Sequence, residues 1–140
     1  MNTRNMKSKV VFIADEIEED RALNESFVEA KFCRPHRLAF DKLNYTFFSL
    51  QRGMPHSRVV QEIRSVIRDA AAVFFDYGGF SLPSSDNHGL IDFYTREFIK
   101  IIQDHPSIEW WCTSALPNVC FSDEEKDTIK SLGVNIYWQS

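Results

Sequence analysis

The sequence predicts an α/β domain, a three-layer, doubly wound, five-stranded parallel sheet in the order 2-1-3-4-5. Three observations lead there. Short apolar runs alternate with stretches of helical periodicity, the pattern of parallel strands joined by crossover helices. Two runs, Val10-Val11-Phe12-Ile13-Ala14 and Ala71-Ala72-Val73-Phe74-Phe75, are apolar throughout, as strands covered on both faces must be. Each runs straight into acids, Asp15-Glu16 and Asp76, at the carboxyl end where open α/β sheets place their sites.

The elements follow in order. A first strand over 9–14 leads to an acidic helix over 17–32, whose apolar stripe is Leu23, Phe27 and Val28. Residues 33–42, containing Pro35, read as a polar, basic connection. The run 43–50 alternates loosely and is rich in aromatics and Thr, which makes it a strand, and its polarity puts it at an edge. Gly53-Met54-Pro55-His56-Ser57 is a turn, with Ser57 placed to cap a helix over 58–69. Val59, Ile63, Val66, Ile67 and Ala70 share one face of that helix. After the third strand comes a loop over 80–88. A helix over 89–104 follows, with Leu90, Phe93, Tyr94, Phe98, Ile101 and Ile102 on its apolar face and Pro106 closing it. The fourth strand covers 108–114. Ser122 and Glu125 form a capping box that opens a helix running to Leu132, and Gly133 is its left-handed terminator. A last strand covers 134–138. Strands one and three, the most apolar, belong in the middle of the sheet.

Composition bounds the class. The 140 residues fit a single α/β domain, with 1–8 as a polar N-terminal tail; 44% are apolar and 26% charged. No apolar stretch is long enough to span a bilayer, and the polar start lacks a signal segment. Cys33, Cys112 and Cys120 form no C-x-x-C pair and read as reduced thiols, so a cytoplasmic protein with no membrane partner is expected. Net charge is -4, unevenly spread: -3 over residues 1–30, +6 over 31–68 and -7 over 69–140.

In the predicted order, the carboxyl ends of strands one, three and four meet. They bring Asp15, Glu16, Asp76, Thr113 and Ser114 to one rim. Carboxylates and hydroxyls converging there suit a divalent cation such as Mg²⁺, held by Asp15, Glu16 and Asp76; they also suit a phosphate or an activated water. The competing account is that these acids merely cap the helices after them. Gly78 and Gly79 permit close backbone approach by a ligand, and the loop they open could hold an anion on its N–H groups. No dinucleotide or phosphate-loop motif is present.

On these residues the chain resembles the receiver domain of response regulators. The resemblance implies a flavodoxin- or receiver-like fold with an acidic pair at Asp15-Glu16, a phospho-accepting Asp76, and a rim hydroxyl at Thr113 or Ser114. Pro83 and Gly89-Leu90 match the Pro and Gly-Leu that follow the phosphorylated Asp in that family. The strand-five lysine of receivers is missing, because Trp138-Gln139-Ser140 stands there; the loop from Asp76 to Gly89 is longer, and the family's final helix is not present. The resemblance therefore implies a regulatory or interaction module with lost or altered phosphotransfer, working through a partner protein or a homodimer.

Two other classes compete. One is a small enzyme acting on a phosphorylated or nucleotide-like substrate, with Asp76 and Ser114 as candidate catalytic groups beside Asp15. The other is a nucleic-acid-associated protein using a basic patch, Arg34, Arg37, Lys42, Arg52 and Arg58, interleaved with Phe32, Phe40, Tyr45, Phe47 and Phe48. A zinc site on Cys33-x-x-His36 lacks a second ligand pair. Trp110, Trp111, Tyr137 and Trp138 are expected to leave some aromatic surface for a partner.

Overall fold

In the computed structural model, residues 8–15, 21–50, 56–75, 88–113 and 122–136 are described. Four strands form a parallel sheet in the order 2-1-3-4: β1 (Lys9–Asp15), β2 (Asn44–Leu50), β3 (Ala72–Phe75) and β4 (Glu109–Cys112). A two-residue segment, β5 (Asn135–Ile136), runs parallel beside β4, with Asn135 opposite Trp111 and Ile136 opposite Cys112. The two fully apolar strands are internal, and β2 lies at an edge, as their polarity predicts. The strands alternate with α1 (Arg21–Val28), α2 (Arg34–His36), α3 (His56–Val66), α4 (His88–Asp104) and α5 (Asp123–Ser131). Among the described residues, no helix is long and apolar enough to cross a membrane.

The period-two alternation of a strand divides the core between the two sheet faces. Val11, Ile13, Val73, Phe75, Trp110 and Cys112 face one side. They pack with Val59 and Ile67 of the α3 region, Ile101 and Ile102 of α4, and Ile129 of α5. Val10, Phe12, Ala14, Ala72 and Phe74 face the other, where Val28, Phe32 and Cys33 cover them. On this second face one aromatic side chain from each of four strands stands in register. Phe47 and Phe12 have ring centroids 6.1 Å apart, Phe12 and Phe74 6.0 Å, and Phe74 and Trp111 5.9 Å, with interplanar angles of 10° or less. Phe27 of α1 meets Phe74 edge-on at 6.0 Å.

The helix over this face departs from the expected 17–32. It runs on from α1 through a π-helical turn, Glu29–Cys33, into α2, so that Arg34 N–H bonds the carbonyl of Glu29. The segment 33–36, expected as connection, is thus helical, and Pro35 is tolerated because it falls at the start of the new turn. The inward face also differs. Leu23 is 63% exposed, whereas Asn24 is buried, with an Nδ2 that has no hydrogen-bond partner among the described residues. Such an orphan costs about 1–3 kcal/mol. The far end is tied down by Glu109, whose carboxylate accepts from His36 Nε2 at 3.0 Å and from Trp111 Nε1 at 2.7 Å.

Arg37 ends the helix with φ 55, in the left-handed region. Its N–H bonds the Arg34 carbonyl and the Leu38 N–H bonds the Cys33 carbonyl, the pair of bonds that defines a Schellman motif. Glycine is the usual residue there. Arg37→Gly is expected to raise stability by roughly 0.5–1 kcal/mol, the left-handed strain relieved less the added chain entropy. The urea midpoint checks this, and a lower midpoint would show that the turn carries no strain.

Other boundaries hold or shift slightly. Ser122 accepts from Glu125 N–H while Glu125 Oε1 accepts from Ser122 N–H, completing the capping box. Gly133 has φ 88 and follows the helix end at Leu132. Ser57, expected as a cap, is the second residue of α3; the helix begins earlier, and its cap position falls outside the described residues. The strand expected over 108–114 is confined to Glu109–Cys112.

Candidate functional site

The sheet brings the carboxyl ends of β1, β3 and β4 to one edge. Ile13 stands opposite Phe75, and Phe75 opposite Cys112. Asp15 is the last residue of β1. Thr113, just past β4, is half-buried and doubly anchored: its N–H bonds the Phe75 carbonyl at 3.0 Å and its hydroxyl donates to the same oxygen at 3.2 Å. With its proton committed to the backbone, the Thr113 oxygen can act toward a ligand only as an acceptor. Glu16, Asp76, Gly78, Gly79 and Ser114 lie outside the described residues, as does the Asp15 side chain.

The basic patch divides between two ends of the sheet. Arg34 and Arg37 sit at the close of the first helical segment, and Lys42 on a single 3₁₀ turn before β2, all exposed at the amino-terminal edge. Arg58 belongs to the first turn of α3, which follows β2, and pairs with Glu62 at 3.4 Å. Arg52 lies outside the described residues. The interleaved aromatics are packed into the domain rather than displayed: Phe32 is buried, Phe40, Tyr45 and Phe47 pack on one core cluster, and Phe48 packs on the other.

Cys33 and Cys112 are buried thiols outside any disulfide. Burial pushes the Cys33 thiol up, and the Glu29 carboxylate adds to the shift, so Cys33 is held protonated and unreactive. His36, the other half of the Cys-x-x-His pair, is engaged with Glu109, and among the described residues no group of three or more His, Cys, Asp or Glu side chains is arranged to hold a metal. Two residues of the expected aromatic surface are described. Trp110 is buried and only Trp111 is half-exposed, because consecutive strand residues face opposite sides; Tyr137 and Trp138 lie outside the described residues.

No protein-family model, curated protein or solved structure matches the chain.

A second feature, not singled out from the sequence, lies at the opposite edge of the sheet. There a cleft of about 410 Å³ is lined by Arg64, Arg68, Asp69, Ala70, His105, Ser107 and Ile108. The signal for it is topological. The loops entering two neighbouring parallel strands, β3 and β4, must meet at the amino-terminal edge, and they carry Arg68-Asp69 and His105-Pro106-Ser107.

Proposed function

We propose that the chain is a small cytosolic regulatory or interaction module. In this reading its five strands complete a three-layer, doubly wound, receiver-like domain in the flavodoxin order, and its acidic rim takes a cation or phosphate. A partner protein or a second copy reads the state of that rim. The observation that carries the reading is the register of the sheet. Ile13, Phe75 and Cys112 align at one edge, so the strands that run into Asp15 and Asp76 are immediate neighbours, with β4 and Thr113 beside them. Adjacent carboxylates at a strand edge repel one another in water, and a bound divalent cation relieves that repulsion.

The experiment is a titration with Mg²⁺ and beryllofluoride, read by thermal melting and by tryptophan fluorescence. Trp110 and Trp111 stand three and two residues before Thr113, within the strand that ends at the rim. A ligand that binds only the folded state at a hundred times its Kd stabilises by about 2.7 kcal/mol. A rise in melting temperature that disappears in Asp76→Asn is the expected result. A flat titration, or an equal rise in Asp76→Asn, would remove the rim from consideration.

A further inference from the structure

We propose that the cleft at the amino-terminal edge is a binding site for the phosphoryl group of a small molecule. It is independent of the acidic rim, which lies at the other end of the parallel strands.

Donor chemistry carries the inference. Arg64 is half-buried, and its Nη1 is fixed to Asp104 Oδ2 at 2.9 Å. One of five guanidinium N–H donors is thereby used to orient the group, leaving four. The Arg68 guanidinium makes no ion pair among the described residues, although the backbone at this position is well held: the Arg68 carbonyl accepts from Lys9 Nζ at 2.8 Å. That bond fixes the chain where Arg68 enters the cleft. On the opposite wall His105 Nδ1 donates to the Ile101 carbonyl at 2.7 Å. A carbonyl can only accept, so Nδ1 carries a proton and is committed to the backbone. Ser107 adds a hydroxyl, and the buried Ala70 and Ile108 contribute apolar surface.

Two guanidiniums and a hydroxyl around one cavity match an anion with several acceptor oxygens, and planar guanidiniums engage phosphate through paired hydrogen bonds. Asp104 pairs with Arg64, and the Arg68 guanidinium, with no ion pair among the described residues, stays available to an anion although Asp69 lines the same cleft. The carboxyl ends of α3 and α4 lie at this edge and add negative partial charge. The anion is therefore held by side chains, not by helix dipoles, and affinity depends on the arginines. A helix-capping role accounts for arginines near these helix ends, but not for a cleft with donors on both walls. The volume exceeds what a bare anion needs and falls in the range of small-molecule sites. Asp69 on the cleft wall, held at φ 63, can accept from ligand hydroxyls.

The test uses the full chain with inorganic phosphate and ribose 5-phosphate, followed by calorimetry and by ³¹P line broadening. Saturable binding of both is expected, ribose 5-phosphate the tighter. Arg68→Gln, an exposed position, should fold normally by circular dichroism and weaken both by about tenfold or more, the loss of a charge-assisted hydrogen bond. Asp69→Asn keeps a residue that tolerates the left-handed conformation; it should strengthen inorganic phosphate and reduce the advantage of the sugar. Arg34→Gln, an exposed arginine at the end of the first helical segment, should change nothing. The site is overturned if neither ligand saturates, if Arg68→Gln binds as the wild type does, or if Arg34→Gln weakens binding equally. Asp76→Asn keeps this binding intact, so failure of the rim and failure of the cleft are told apart.

Discussion

Phe74→Ala is expected to cost about 3–5 kcal/mol, a large part of the stability of a domain this size. Phe74 is 0% exposed and occupies the middle of the sheet. It stacks on Phe12 at one side and Trp111 at the other, and Phe27 meets it edge-on from the helix. Removing the ring deletes three aromatic contacts, each worth about 0.5–1.5 kcal/mol beyond area burial, and leaves a void walled by rigid strands that cannot collapse into it. Phe74→Leu keeps most of the volume and should recover more than half of the loss. Urea unfolding followed by far-ultraviolet circular dichroism measures both. A cost below about 1 kcal/mol for the alanine variant would mean that the four-strand aromatic row is not packed as described.

Trp110→Ala should be comparably damaging, at about 3–5 kcal/mol, for a different reason. Trp110 faces the other side of the sheet, with Phe98 edge-on at 6.2 Å, and its indole N–H donates to the His105 carbonyl at 3.1 Å. The side chain therefore fills the core and also holds the wall of the cleft. Trp110→Phe separates the two roles. It restores most of the apolar volume but removes one of the two donors to the His105 carbonyl, leaving the Ile108 N–H at 3.3 Å, a loss of about 0.5–1.5 kcal/mol. It should also loosen the His105–Ser107 loop and weaken phosphate in the cleft, with Asp76-dependent behaviour at the rim unchanged. Phosphate affinity untouched by Trp110→Phe would show that this hydrogen bond plays no part in shaping the cleft.

The parallel sheet was legible from residues because its central strands have no polar position, and nothing but burial on both faces suits such a run. The capping box and Gly133 were legible because local hydrogen bonding and a positive φ demand particular side chains. The first helix was harder. Leu23, Phe27 and Val28 are too few to define one stripe, and a shift of one residue exchanges Leu23 for Asn24 without disturbing the other two. The inward face is set further along, by Phe32 and Cys33, whose phase depends on a π-helical turn that local periodicity does not reveal. Asp15 and Thr113 could be placed at the carboxyl edge because the apolar runs mark where the parallel strands end. Arg64, Arg68, His105 and Ser107 were missed because none forms a motif; they meet only through the adjacency of β3 and β4.

The π-helical turn sets the length of the segment that spans the sheet. Such a turn is one residue more than an α-helix needs for the same bonds, so the Glu29–Cys33 stretch behaves as a single-residue insertion absorbed without breaking the rod. Taking one residue out would restore an ordinary helix and turn everything beyond it by about a quarter of a revolution. His36 would swing away from Glu109, and the cysteine and phenylalanine that seal the aromatic row would leave it together. The extra residue thus works as a spacer that lets one end of the helix grip β4 while the other stays over β1 and β3.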